Sequence, residues 1–554
     1  MLTYQKVPQE STPYNSPTQG QPIPPGMQAR PGQFMPPPMV AAPRPRTWRE
    51  RWMNRFGMNT NVPLRGGELT IPDWITGRAV IFFFVAMIVC WVAFGYVPAF
   101  ELWFVSALSV VLFFFGGSAM SKNWSHAGEK RFLRNVFIAG FLVRFVWVLY
   151  CYFLFNPEYH GNTYGDTADV DWYVPFAKDL TKWLSGESHL INPNTKNTPM
   201  SLMQIIDYNG SAIDDVGYPM WLGFVYLIVG VENDVFVPFL LKCILGAFCA
   251  ISIYRVAQRH FGEGVARMAA IFVAINPNMI YWCGNLFKEV EMVFLVCVAV
   301  DNFDKVLSSG KSLTFLNLLP GMLAAVALFF FRSALGILML LAVFAHIVMA
   351  SQRVMSMGKK VLAGVLVGTI LLVGMGDRIR TQSEKLIEAA QSDRQNVNME
   401  WRSNRQGGNS FAKYAGAAVF APLIFTIPFP TFNTALESQL LQVQLSGGSY
   451  IKNIFSFFVI IVMIMLLISG EWRRHVFILA YTVGYHVVLV MSEFAHSGRF
   501  HMPVWPMIML FAAYGIQVAK GNAKVRKWLP IVLVLEVFIC LAWNWFKLKG
   551  RGMI

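Results

Sequence analysis

Residues 79–99 read AVIFFFVAMIVCWVAFGYVPA, an apolar run without a charged side chain. About 20 residues rising 1.5 Å each cross a hydrocarbon core of roughly 30 Å, so the run predicts a membrane-spanning helix. Comparable runs follow at about 102–119, 135–155, 236–256, 264–282, 290–305, 313–331, 334–351, 360–376, 448–469, 475–492, 502–519 and 529–546. The expected fold is therefore all-α, a polytopic transmembrane bundle of about 13 spans.

Composition agrees. Of 554 residues, 55% are hydrophobic and 14% charged, where a soluble domain carries about 25% charged residues. The net charge of +15 does not point to nucleic acid, because Lys and Arg gather in short connectors beside apolar runs, where they hold those connectors in the cytoplasm. The seven cysteines lie in or beside apolar runs without ligand-pair spacing, and read as small core residues. Residues 1–45, rich in Pro, Gln, Ser and Gly, are expected to form a disordered cytoplasmic tail. The segment 46–78, with Arg46, Arg49, Arg51 and Arg55 near Trp48 and Trp52, reads as a basic juxtamembrane stretch facing membrane lipid or as a topology determinant.

Charge also orders the spans. A cytoplasmic N-terminus and a cytoplasmic loop with Lys122, Lys130, Arg131 and Arg134 place the loop 156–216 outside. If the apolar segment 217–232 lies at the outer interface without crossing, the connectors with Arg255, Arg259 and His260, with Arg353, Lys359 and Lys360, with Arg473, Arg474 and His475, and with Lys520, Lys524, Arg526 and Lys527 all fall inside. The Pro-broken segment 414–432 is placed at the interface likewise. The last span then ends outside, exposing Lys547, Lys549 and Arg551. The chain divides into an N-terminal hairpin and loop (79–134), a main module (135–519) with external loops 156–216 and 377–447, and a C-terminal span and tail (520–554). Arg332, Lys288, Glu289, the loop 377–413 and the turn His496-Ser497-Gly498-Arg499 share the external side with Asp166, Asp169 and Asp171.

Those three aspartates precede a predicted amphipathic helix at about 172–185. A carboxylate at that boundary can serve as general base towards an acceptor hydroxyl. Asp169 and Asp171 could instead bind a divalent cation such as Mg or Mn through oxygen, or the acids could merely solvate the loop and cap the helix.

The run Asp169-Val170-Asp171-Trp172-Tyr173-Val174-Pro175-Phe176-Ala177-Lys178-Asp179-Leu180 resembles the Asp-x-x-x-Tyr-x-x-x-Ala-x-x-Leu signature in the first external loop of GT-C glycosyltransferases, among them the protein-mannosyltransferase and aminoarabinose-transferase relatives. Gly217-Tyr218-Pro219, the connector Tyr254 to Gly262, Asn276-Pro277 and the element Gly498-Arg499-Phe500-His501-Met502-Pro503-Val504-Trp505-Pro506 follow in the family's order, over roughly residues 135–519. Two departures stand out: the added hairpin at 79–119, and Lys288-Glu289-Val290 where the family commonly has a small residue, an acid and Pro. The resemblance implies that Asp166, Asp169, Asp171 and Glu289 supply the catalytic carboxylates. It also implies an inverting transfer of a hexosyl or pentosyl group from a polyprenyl-phosphate donor to a glycan, lipid or protein acceptor outside the cytoplasm, in a bacterial inner membrane. A leaving phosphate needs a fixed cation; Arg499 is the first candidate and Arg332 the second. Two other readings are a polysaccharide polymerase or ligase of the O-antigen type, favoured by Arg332 and the Arg-containing loop 377–413, and a lipid-linked glycan flippase, disfavoured by the few ionisable residues within the spans.

Overall fold

The computed structural model describes residues 70–155, 169–187, 199–209, 215–230, 235–308, 315–349, 421–434, 443–491 and 497–554. The predicted span 360–376, the loop 377–413, Asp166, His496 and residues 1–69 lie outside the described residues. In chain order the helices are α1 (Asp73–Phe94), α2 (Phe100–Asn123), α3 (Glu129–Phe153), α4 (Val170–Leu184), α5 (Leu202–Tyr208), α6 (Gly217–Val229), α7 (Phe236–Phe261) and α8 (Glu263–Ala274). They continue with α9 (Pro277–Tyr281), α10 (Glu289–Ser308), α11 (Phe315–Phe331), α12 (Ser333–Met349), α13 (Ser446–Ser469), α14 (Val476–Met491), α15 (Trp505–Gly521) and α16 (Ala523–Lys549). Among the described residues every regular element is helical, as the hydrophobic pattern predicts.

Among the described residues seven helices are long and apolar enough to cross a membrane: α1, α2, α3, α7, α13, α16, and α15 with the Gly498–Val504 turn that leads into it. Four more, α6, α11, α12 and α14, are apolar but shorter. The predicted span 290–305 is the helix α10, charged at both ends by Glu289, Glu291, Asp301, Asp304 and Lys305. The predicted span 264–282 is not one helix. α8 stops at Ala274, and α9 restarts with Asn276 as its cap (Oδ1 accepts from Met279 N, 3.1 Å) and Pro277 in its first position. The break orphans the carbonyls of Val273 and Ala274, and both accept from the guanidinium of Arg144, fully buried in α3, at 3.2 and 2.6 Å.

That arginine corrects the sequence reading of the spans as poor in ionisable groups. Arg144, Lys242, Glu291, Lys452 and Glu536 are all buried within helices, and each is hydrogen-bonded. Three of them, Arg144, Lys242 and Lys452, donate to backbone carbonyls where the helical ladder is interrupted. In lipid an unsatisfied carbonyl has no water to turn to, so irregular backbone at depth must recruit side chains.

The segment 421–434 shows the same rule. Beyond one turn at Ala421–Leu423 it is not helical, and residues 427–434 are buried inside the bundle, not laid on its surface as expected. Ser446 Oγ accepts from Thr431 N (2.9 Å), and Asn544 Oδ1 accepts from Phe432 N and Asn433 N (2.9 and 3.1 Å). Asn544 Nδ2 donates to Pro430 O (3.2 Å), Trp91 Nε1 to Phe432 O (3.1 Å), and Lys452 Nζ to Ile427 O. Lys547, expected to be exposed, also turns inward and donates to Thr431 Oγ1 (2.8 Å).

Packing centres on α7, which contacts α3, α8 and α10, and on the pair α13 and α15. Between helices in lipid the attraction is contact rather than exclusion of water, so small residues that admit a close backbone matter. A Cβ on Gly515 would lie 2.6 Å from Phe458 O across the α13–α15 seam. A Cβ on Gly217 would lie 2.6 Å from Phe331 Cδ2 and 2.8 Å from the Phe330 carbonyl, so that glycine lets α6 seat against the end of α11. At 13 residues α6 is about 20 Å long, short of the roughly 30 Å a span requires.

The bundle has two distinct ends. Glu289 opens α10, and Asp304 lies 15 residues further along it, about 22 Å away. At the Asp304 end Arg259 binds Asp301 (2.8 Å) and Asp304 (2.6 Å), His260 binds Asp304 (2.7 Å), and the His260 and His475 ring nitrogens meet at 2.8 Å. At the same end Arg267, paired with Glu263 (2.6 Å), holds the connector after α2 by donating to the carbonyls of Trp124, Ser125 and Ala127. The connectors carrying Arg259, His260 and His475 and the one after α2 therefore collect at the Asp304 end, and Asp169 and Glu289 lie at the other.

Candidate active site

Buried Val170, Tyr173, Phe176, Ala177, Leu180 and Thr181 recur at helical spacing and seat α4 on α6. The helix predicted at 172–185 thus forms at Val170–Leu184 and places Asp169 at its N-terminus, where its carbonyl accepts from Tyr173 N (2.9 Å). Glu289 is the first residue of α10 and is fully buried. Arg499 projects from the tight turns before α15. Its Nε donates to Glu289 Oε1 (2.6 Å) and its Nη2 to Asp169 Oδ2, while the guanidinium lies 4.5 Å from the Phe287 ring centroid and 5.7 Å from that of Phe500. Three residues from distant parts of the chain thus form one ionic group. The second oxygen of Glu289 has no hydrogen-bond partner among the described residues.

A second group adjoins it. Lys288 donates to Asp215, which sits just before α6. Arg332, directly after α11, lies 4.5 Å over the Phe500 ring and acts electrostatically on Tyr485, Lys288 and Asp215. Burial pushes the Asp215 carboxyl up while Lys288 draws it back down. Burial also pushes the Lys288 ammonium down, Asp215 opposing and Arg332 reinforcing that shift. Burial, followed by the charges of Asp215, Glu289 and Asp169, holds the Tyr173 phenol far above its ordinary value, so it remains protonated.

Behind both groups stands Lys242 of α7, fully buried, donating to Phe287 O and to Glu291 Oε2 (2.8 Å) and lying 4.8 Å over the Tyr218 ring. Residues 287 and 291 flank Glu289, so this one ammonium grips the turn on both sides of the acid.

Of the residues singled out from sequence, Asp169, Glu289, Arg499 and Arg332 come together. Asp171 is exposed, and no contact joins it to them. Arg499, expected to meet a phosphate, is occupied by two carboxylates. Among the described residues no group of three or more His, Cys, Asp or Glu could hold a metal ion. Sequence reasoning passed over Asp215 and Lys242. Asp215 stands two residues before the Gly217-Tyr218-Pro219 element, which could have flagged it; Lys242 carries no local signal.

Residues 207–378 match the family model of the Alg9-like mannosyltransferases. That stretch contains Asp215, Lys242, Lys288, Glu289, Glu291 and Arg332, with Asp169 and Arg499 to either side. The match covers less than half of the chain and supports a glycosyltransferase of the GT-C type in a multi-pass membrane protein. No curated protein matches the chain. Two solved structures of the Archaeoglobus fulgidus oligosaccharyltransferase are similar to it. One, tethered with an acceptor peptide containing the NVT sequon, shows 14% identity and a TM-score of 0.39 over 77% of this chain and 55% of that one. The other, a complex with Zn and sulfate, shows 13% identity and a TM-score of 0.37 over 76% of this chain and 52% of that one. The chain spans about half the length of those structures.

Proposed function

We propose that the chain is an integral-membrane, inverting glycosyltransferase that moves a sugar from a polyprenyl-phosphate donor to an acceptor hydroxyl on the external face of the membrane. The observation that carries this reading is the meeting of Asp169, Glu289 and Arg499 at the end of the bundle opposite the basic connectors. Positive connectors favour the cytoplasmic side, which supports an external position for the acids.

Asp169, half-exposed, is the acid an acceptor can reach, and it serves as general base. The acceptor oxygen bonds to the anomeric carbon, the bond from that carbon to the phosphate oxygen breaks with its electron pair going to phosphate, and the hydroxyl proton passes to Asp169. General-base catalysis of this kind contributes about 10²–10⁴-fold. Arg499 orients Asp169 and is itself fixed by buried Glu289. Arg332 faces the charge that grows on the leaving phosphate.

The test compares Asp169→Asn and Asp171→Asn in purified, reconstituted protein supplied with polyprenyl-phosphate sugars. Asp169→Asn should abolish transfer, and Asp171→Asn, which alters an exposed side chain outside the group, should retain it. Normal turnover by Asp169→Asn would sink the assignment.

A further inference from the structure

We propose that Lys288 and Arg332 form a subsite for a phosphate ester, and that the Asp215 carboxylate occupies it in the resting protein until a bound phosphate displaces it. The inference rests on the transferase reading only for the identity of the donor.

The charges at this end of the bundle are unevenly shared. Arg499 alone meets two acids, Asp169 and Glu289. Lys288 forms its ion pair with one acid, Asp215, and Arg332, whose charge acts on both, has no ion pair of its own among the described residues. One lobe is therefore short of positive charge and the neighbouring lobe is short of negative charge, so an incoming anion is drawn to the second. A phosphate suits it, because it can accept from an ammonium and a guanidinium at once.

Asp215 is the member able to leave. Its side chain is 40% exposed, whereas that of Lys288 is 7% exposed. It lies in the turn ahead of α6, outside any helix interior, while Lys288 is fixed by its place directly before Glu289. Lys288 cannot follow it into water, and an ammonium left buried beside Arg332 without an anion is costly. Displacement of Asp215 therefore requires a replacement anion. The rings of Phe500 under Arg332 (4.5 Å) and Tyr173 beside Lys288 (5.8 Å) hold both cations in place during the exchange. Lys288 is also one of the positions where the sequence departs from the pattern it otherwise resembles, so the subsite belongs to this chain's own residues.

The experiment uses the full chain in lipid nanodiscs, titrated at fixed salt with farnesyl phosphate and, separately, with inorganic phosphate, binding being read from ligand-induced thermal shifts. Asp215→Asn removes the internal competitor and should tighten farnesyl phosphate binding about tenfold, since apparent affinity scales with the fraction of protein whose site is open. Lys288→Met combined with Asp215→Asn leaves an uncharged pair that still packs, and should bind about tenfold or more weakly than Asp215→Asn alone. If inorganic phosphate binds as well as farnesyl phosphate, the subsite takes free phosphate. A preference for the prenyl ester assigns it to a lipid headgroup. Unchanged or weaker binding in Asp215→Asn, or a double variant that binds as well as Asp215→Asn, would overturn the proposal. Because binding is measured without transfer, a protein that shows these shifts but moves no sugar refutes the transferase reading and leaves the subsite standing. A protein that transfers sugar while Asp215→Asn binds like wild type refutes the subsite alone.

Discussion

Replacing Lys242 by Met should damage this protein more than replacing both Lys242 and Glu291. The ammonium is fully buried and the Glu291 side chain is 3% exposed, so neither charge has water to fall back on. Removing one partner of such a pair strands the other, at about 3–5 kcal/mol. The same change leaves the Phe287 carbonyl without its donor, worth about 1–3 kcal/mol when buried. The two losses come from one group and overlap, so we expect about 4 kcal/mol in all, moderated by protonation of Glu291. Lys242→Met with Glu291→Leu removes both charges together and keeps only the carbonyl's loss, about 1–2 kcal/mol. With unfolding entropy scaling with chain length, the single variant should melt about 3–5 °C below wild type and the double variant about 1–2 °C below. Parallel melting curves of the three proteins in one detergent measure this. A single variant within about 1 °C of wild type, or a double variant less stable than the single, would refute the idea that Lys242 and Glu291 stand or fall together.

Other outcomes follow from the same geometry. Arg499→Ala should lower turnover about thirtyfold to a thousandfold, the 2–4 kcal/mol expected when a preorganised charged contact is lost; Arg499→Lys should recover only part, because one ammonium cannot reproduce the Nε and Nη2 contacts to two carboxylates, and steady-state kinetics of both would show it. Reporter fusions after residues 260 and 287 should report opposite sides, cytoplasmic at 260 and external at 287, and the reverse pair would move the acids to the cytoplasm. His475 is pushed down to about 3 by burial, then by His260 and Arg474. It stays neutral in the folded protein while an unfolded chain takes up a proton below about 6.5, so its contribution to stability is complete above that pH and is lost as pH falls towards 3. Melting temperatures should therefore decline between about pH 7 and 5, and His475→Phe, which keeps an aromatic ring against Phe261, should flatten that part of the decline.

The site was legible where chemistry and order along the chain coincide. Asp169 precedes a helix whose apolar spacing is clear, and Glu289 and Arg499 each stand at the edge of an apolar run, so a topology built on charged connectors brings them to one end. Their pairing was not legible, because which acid an arginine takes depends on the rotation of α10 and of the turn before α15, and no local pattern records either. Lys242 and Glu291, 49 residues apart, illustrate the harder case: each looks like an isolated charge in a span until α7 and α10 are packed. The break at Asn276-Pro277 was written in the sequence as a cap and a first-turn proline, yet average hydropathy over 264–282 passes straight across it.

The stretch 427–434 places a condition on biogenesis. Its amides at Phe432 and Asn433 are satisfied by Asn544, which the ribosome adds 112 and 111 residues later, and Ile427 O by Lys452, 25 residues later. Until α16 arrives those groups need water, so the stretch cannot settle between its neighbours while the chain is still being made. The arrival of α16 is thus a required step of assembly: a nascent chain halted before it can have every earlier span inserted and still present an unfinished, hydrated seam to the quality-control machinery of the membrane.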